Sequence, residues 1–264
     1  MYFYGKTDIG KMRATNQDNF FTMRISDNVL LFVLCDGMGG TNGGNIASKL
    51  AIRTFSEYIE QQLSGYINDD NVICDTEEIS FTSLLNDAVL HANKAVYSRA
   101  HENSELANMG TTIVAAISVD DKLYITNVGD SRLYLLEGTL LTQLTHDHSY
   151  VQMLVDMGHI TKEEAANNPR KNILTRAVGT EPTVEADVME TELPPEGSYL
   201  LLCSDGLYNF LTEQELIDIV YDTCGEYDDD DYEAELAYKT DRLIDKANAN
   251  GGGDNITIIL IKIL

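Results

Sequence analysis

Three short, largely apolar runs each lie beside an aspartate. Residues 29–35 lead into Asp36-Gly37, residues 199–203 lead through Ser204 into Asp205-Gly206, and Asp254-Asn255 precedes the run 256–260. Runs this short and this apolar read as buried strands, and a buried strand delivers its flanking residues to the rim of a sheet. Asp18, just ahead of the strand expected over 19–25, makes a fourth carboxylate of this kind. Four acidic side chains brought from remote stretches to strand ends suggest a metal site.

The remaining pattern sets the fold class. Strands are expected over 2–9, 19–25 and 29–35, then a helix over 44–63 whose Ile46, Ala47, Leu50, Ala51, Phe55, Tyr58 and Ile59 recur every three or four residues. A second helix over 81–100 repeats that spacing, with a polar loop over 64–80 between the two. Short strands at 112–119, 122–128, 132–136 and 140–144, separated by Asp120-Asp121 and Glu137-Gly138, are hairpin signals and make the sheet antiparallel. Residues 146–190 break this rhythm. They hold a short helix from Ser149, a second one opened by the capping pair Thr161 and Glu164, and a stop at Pro169, so they are expected to form an inserted flap. A second capping pair, Thr212 and Glu215, a helix over 233–248 and a last strand over 256–263 complete the chain. Strands in antiparallel groups with helices between the groups argue for an α+β fold, two stacked sheets covered by helices, in one domain over residues 1–264.

Charge narrows the partners. With 18 Lys and Arg against 43 Asp and Glu, the formal charge is -25, which repels nucleic acid and anionic membranes. No window reaches the apolar length of a membrane helix, and residues 1–6 lack the pattern of a signal peptide, so a cytoplasmic location is expected, with no nucleic-acid partner and no membrane insertion. Cys35, Cys74, Cys203 and Cys224 show no close pairing, and Cys35 and Cys203 suit core packing. The acidic run 228–231 lacks the spaced oxygens and glycine of a calcium loop and reads as a solvated loop.

An all-oxygen ligand set favours Mg²⁺ or Mn²⁺ over zinc. Two such ions about 3.5–4 Å apart can bridge a water, lower its pKa and aim it at a phosphoester. Arg13, five residues before Asp18, is the natural phosphate-holding cation, since a guanidinium grips two oxygens at once. Each Asp-Gly pair taken singly is also ordinary turn chemistry. Asp130 reads as a turn cap beside Ser131 and Arg132. Gly110, Gly129 and Gly179 read as tight turns or close backbone packing. His146 and His148 read as hydrogen-bonding or surface residues at the flap entrance, and Arg176 either pairs with a carboxylate or shapes the substrate face.

Seven motifs in order, Arg13 to Asp18, Asp36-Gly37-Met38-Gly39-Gly40, Met109 to Thr112, Asn127 to Arg132, Asn172 to Gly179, Ser204 to Leu207 and Gly253 to Asn255, resemble the metal-dependent type 2C Ser/Thr protein phosphatases in their bacterial branch. The resemblance implies a four-layer αββα sandwich with a metal cleft at one end. It implies that Asp36 bridges two core ions, Mn²⁺ or Mg²⁺, that the Gly37 carbonyl binds one, and that Asp205 and Asp254 complete the other. Asp18 would act through a metal-bound water, Asp130 with Asp205 would hold a third, weaker ion, and Arg13 would bind phosphate. The implied reaction is hydrolysis of phosphoserine and phosphothreonine on proteins by direct attack of a metal-bridged hydroxide, opposed by a Ser/Thr protein kinase.

Two residues depart from the wider family. Met38 stands where the animal enzymes carry a His that protonates the leaving alcohol, and a thioether has no proton to give. The bacterial pattern then implies that a metal-bound water is the acid. Gln17 stands where a Glu often occurs. Two other functions fit the same fold: a metal phosphoesterase of small molecules, and a non-catalytic regulatory module, which loss of ligand carboxylates would betray.

Overall fold

The computed structural model describes residues 1–74, 76–225, 228 and 230–264. Its elements follow in the order β1 (Tyr2–Asp8), β2 (Asn19–Ser26), β3 (Val29–Cys35), β4 (Gly37–Met38), α1 (Gly40–Leu63), α2 (Phe81–Glu102), β5 (Gly110–Thr111), β6 (Ile113–Val119), β7 (Lys122–Val128), β8 (Arg132–Glu137) and β9 (Leu140–Gln143). Then come α3 (Tyr150–Asp156), α4 (Lys162–Ala166), β10 (Asp187–Glu192), β11 (Tyr199–Cys203), α5 (Asp205–Tyr208), α6 (Glu213–Val220), α7 (Tyr232–Ala249) and β12 (Ile256–Lys262).

Two antiparallel five-stranded sheets, ordered β1-β12-β11-β8-β9 and β10-β7-β6-β3-β2, stack face to face. Strand alternation divides each strand between two cores. From β3, Leu30, Phe32 and Leu34 point at the other sheet, where they meet Leu133, Leu200, Leu202, Ile259 and Ile261. Leu31, Val33 and Cys35 point the other way, onto Phe55 and Ile59 of α1 and Leu85 and Val89 of α2. The second sheet is covered likewise, with Leu201, Cys203, Ile258 and Leu260 packed on Leu216 and Val220 of α6 and Leu236 and Leu243 of α7. Burial on both faces is why antiparallel strands here read as largely apolar runs. The αββα expectation holds.

The register brings the acidic residues to one rim. Asn19 lies opposite Cys35, so Asp18 and Asp36 sit side by side, and Ile113 lies opposite Val128 where the chain turns toward Asp130. In the other sheet Cys203 lies opposite both Ile258 and Arg132, which sets Asp205 beside Asp130 and near the turn carrying Asp254.

Two expectations need correction. Helix α1 starts at Gly40, not Gly44. Glycine is a poor helix former, but a Cβ on Gly44 would stand 2.6 Å from the Gly37 carbonyl, so this glycine serves a backbone contact inside the helix. The excursion ends before Glu190, because Asp187–Glu192 is β10, an edge strand paired with β7. Val188 and Ala186 pack on the α2 side while charged residues dominate the rest, the ordinary disguise of an edge strand. Asp228, Asp230 and Asp231 are exposed as a solvated loop should be, and Asp231 also caps α7 by accepting from the Ala234 N–H at 3.0 Å; Asp229 lies outside the described residues. Among the described residues no helix is long and apolar enough to cross a membrane, and all four cysteines are free, Cys35 and Cys203 buried.

Candidate metal centre

A cleft of about 560 Å³ opens at this rim, lined by Arg13, Asp36, Gly37, Met38, Asp130, Asp205 and Asp254. Six of the seven residues singled out from the sequence therefore face one cavity. The seventh, Asp18, lies just beneath, 3% exposed, with Oδ2 accepting from Ser204 Oγ at 2.7 Å and Thr257 Oγ1 at 2.8 Å.

Backbone contacts hold the donors in place. The Asp36 N–H donates to Thr112 Oγ1 at 2.9 Å, and the Asp36 carbonyl accepts from Thr111 Oγ1 and the Thr112 N–H, both at 2.8 Å. Thr112 Oγ1 in turn lies 2.7 Å from Ser131 Oγ, beside Asp130. The turn before Asp130 needs Gly129, whose φ of 108° is left-handed. Asp205 opens α5, and its Oδ2 accepts from Asn209 Nδ2 at 3.2 Å.

Asn255 does as much for Arg13. Its Nδ2 donates to the carbonyls of Ile9 at 2.9 Å and Thr15 at 3.1 Å, and its Oδ1 accepts from the Gln17 N–H at 2.9 Å. One buried amide thus ties down both ends of the loop bearing Arg13, whose Nη2 reaches Asp254 Oδ2 at 2.6 Å. The Gln17 side chain donates to the Gly40 carbonyl at 2.7 Å, so the position where a Glu often occurs braces the start of α1.

Electrostatics shows what the site wants. Burial, and then repulsion from Asp18, Asp205, Asp130 and Asp254, pushes the Asp36 carboxyl well above the usual range. Asp205 is pushed the same way by burial, Asp130, Asp254 and Asp18, with Lys171 opposing. Burial lifts Asp18 to about 6, and burial together with Asp147 lifts Asp130 to about 7. Arg13 is raised by its bond to Asp254. Among the described residues no three His, Cys, Asp or Glu side chains close into a tight ligating cluster. Four carboxylates share the cavity wall, however, with Asp18 beneath them, and Arg13 at the lip and Lys171 nearby bring too little opposite charge to offset them. Oxygen donors in such surplus fit hard divalent cations, which neutralise the repulsion that protein cations leave.

The histidines stand apart. His148, 5% exposed, accepts from the Gly129 N–H at Nδ1, 3.1 Å, so its proton sits on Nε2, 3.2 Å from Asp187. Burial holds its pKa below the ordinary value despite Asp187. Arg176 pairs with Asp187 at 3.0 Å, and His146 meets Asp156 at the surface. Sequence reasoning missed the supporting roles of Thr112, Ser204, Asn209, Asn255 and Thr257. Thr112, Ser204 and Asn255 carried a signal, their place in the motifs beside the aspartates, whereas Asn209 and Thr257 carried none.

The excursion 147–186 borders the cleft. Its base is a short ladder, in which the Tyr150 N–H donates to Ile173 O and the Thr175 N–H to His148 O, both at 2.8 Å. A second cavity of about 460 Å³ lies under α3 and α4 against β8 and α5, and shares Asp130 and Asn172 with the first.

Comparison with known proteins shows the family. The family model described as protein phosphatase 2C matches residues 10–238. The serine/threonine phosphatase stp of Listeria welshimeri is 40% identical over 257 residues, covering 97% of this chain and 94% of its own. The crystal structure of serine/threonine phosphatase Stp1 from Staphylococcus aureus superposes with a TM-score of 0.83 at 32% identity, covering 99% of this chain and 94% of that one. The catalytic domain of the serine threonine protein phosphatase PstP, solved in complex with 2 manganese ions, gives a TM-score of 0.78 at 31% identity over 98% of this chain and 96% of its own.

Proposed function

The chain belongs to the protein phosphatase 2C family, and from that premise we propose that it removes phosphate from phosphoserine and phosphothreonine of proteins at the cleft where Arg13 meets the aspartates. The observation that carries this reading is the convergence of Asp36, Gly37, Asp130, Asp205 and Asp254 on one cavity with a guanidinium at its lip.

Asp36, the Gly37 carbonyl, Asp205 and Asp254 would hold two divalent ions, Mn²⁺ or Mg²⁺, and Asp130 with Asp205 a third. Bound there, the ions supply Lewis acidity, lowering the pKa of water and neutralising phosphate charge. The chain's own residues do the rest. Arg13 can turn its guanidinium from Asp254 to the substrate phosphate, fixing the ester in the cleft. Asp18, held by Ser204 and Thr257, is kept in one orientation beneath Asp36 and acts at one remove. Met38 lines the cleft but has no proton to give, so the leaving alkoxide takes its proton from water. The excursion beside the cleft acts as a substrate-selecting flap, since loops on a rigid scaffold carry specificity. On this reading the enzyme works in the cytoplasm on phosphoproteins, and a Ser/Thr protein kinase opposes it.

The test is phosphate release from a phosphothreonine peptide and from free nucleotides, with Mn²⁺, with Mg²⁺ and with chelator. Metal-dependent turnover that favours the peptide is expected. Preference for nucleotides would make it a small-molecule phosphoesterase, and no turnover of either would leave a regulatory module.

A further inference from the structure

Two hydrogen bonds in series join the excursion to a proposed metal ligand. Lys171, in the turn after α4, donates from Nζ to Asn209 Oδ1 at 2.9 Å, and Asn209 Nδ2 donates onward to Asp205 Oδ2 at 3.2 Å. Asn209 stands one helical turn beyond Asp205, with its backbone N–H on the Asp205 carbonyl at 3.0 Å, so its side chain faces the carboxylate by construction.

The chemistry makes Lys171 decisive. A carboxamide can offer either its NH₂ or its oxygen to Asp205, and the two ends have nearly the same shape. The oxygen would repel the carboxylate. An ammonium can only donate, so Lys171 claims the amide oxygen and leaves the NH₂ for Asp205. With Oδ2 so occupied, Asp205 keeps its other oxygen for an ion, in the way that partners behind metal ligands orient them.

We propose that Lys171 and Asn209 are positioning residues for Asp205, and that through them the seating of the excursion 147–186 on the scaffold tightens divalent-metal binding at the cleft. The proposal rests on the reading of Asp205 as a ligand. It assigns no contact of Lys171 with substrate.

Calorimetric titration of the full chain with Mn²⁺ tests it. By the cost of removing such partners, Asn209→Ala should weaken Mn²⁺ binding by about 10-fold or more, and Lys171→Met, acting at one remove, by about 3-fold. Lys171→Arg should bind as the parent does. The double variant should bind no worse than Asn209→Ala alone, since both changes cut one chain of contacts. At saturating Mn²⁺ the peptide KM of Lys171→Met should equal the parent's, which a substrate-binding lysine would not allow. Parent-like Mn²⁺ affinity in Lys171→Met, or additive losses in the double variant, overturns the proposal. Should Asn209→Ala fail to melt cooperatively, the Lys171→Met and Lys171→Arg pair decides alone. Asp205→Asn separates the two levels: if it too binds Mn²⁺ like the parent, the ligand assignment falls and the relay with it, whereas a loss confined to Asp205→Asn sinks only the relay.

Discussion

The Arg13 guanidinium lies 2.6 Å from the Asp254 carboxylate, so the cation proposed for substrate phosphate and a carboxylate proposed for metal are partners. Metal at Asp254 and Arg13 compete for the same oxygens, which would free the guanidinium for phosphate as metal arrives. Arg13→Ala should therefore raise the KM for a phosphothreonine peptide by about 10- to 100-fold, the loss of one charge-assisted hydrogen bond of about 1.5–3 kcal/mol. Its Mn²⁺ affinity should not fall, because a competitor has been removed. An unchanged KM in steady-state kinetics would refute the phosphate role.

The excursion is thinly anchored. Val151 is the one buried residue of α3 and Ala165 the one of α4, and the neck rests on a few backbone bonds. Hydrogen exchange of amides in α3 and α4 should be orders of magnitude faster than in β3 and β6, whose residues are buried throughout, with His148, Tyr150 and Thr175 in between. Core-like protection of α3 and α4 would count against a mobile flap.

The parts of this site legible in the sequence are those tied to periodic burial. Asp36, Asp205 and Asp254 announce themselves because they end runs buried on both faces, and Arg13 through the motif that leads to Asp18. The supporting contacts lie between segments far apart in the chain, as with Ser204 and Thr257 on Asp18, 186 and 239 residues away. Such polar pairs leave no periodic trace. Strand β10 was hidden because an edge strand carries few apolar residues. Gly44 reads as a helix boundary by propensity, and only the close approach of Gly37 explains it inside α1.

A second buried charge cluster, far from the cleft, links stability to pH. Glu235, 5% exposed, accepts from Tyr199 OH, Lys239 and Lys262, each at 2.6 Å. Burial alone would raise its carboxyl, but the bonds from Lys239, Lys262 and Tyr199 outweigh burial and hold it at about 2. The pair is not symmetric: burial, with a smaller push from the Lys262 charge, pulls Lys239 down despite its bond to Glu235. A depressed carboxyl adds stability that is complete above its unfolded pKa of about 4.3 and is lost as pH falls toward 2. Denaturant titrations should show that loss between about pH 4 and 2 in the parent and much less of it in Glu235→Gln. At pH 7 Glu235→Gln should cost about 3–5 kcal/mol, since it strands a buried ammonium. Equal acid limbs in the two proteins would refute this linkage.

The cleft itself should trade stability for metal. Asp36 faces four other carboxylates and is pushed well above its ordinary pKa by burial and by them, so each of these charges destabilises the fold when only protein cations answer it. Asp36→Asn keeps the shape and removes one charge. In chelator, it should melt a few degrees higher than the parent, the scale set by about 2–4 °C per kcal/mol for a chain near this size. Added Mn²⁺ should reverse the order, because an ion that binds only the native state stabilises it by mass action and the parent binds it better. Turnover of a phosphopeptide should meanwhile fall by more than the about 10- to 100-fold typical of residues behind a metal ligand. Thermal melts of both proteins with and without Mn²⁺, beside one activity assay, check all three. A variant that melts lower in chelator, or responds to Mn²⁺ as fully as the parent, would show that Asp36 is not where the repulsion and the ions meet.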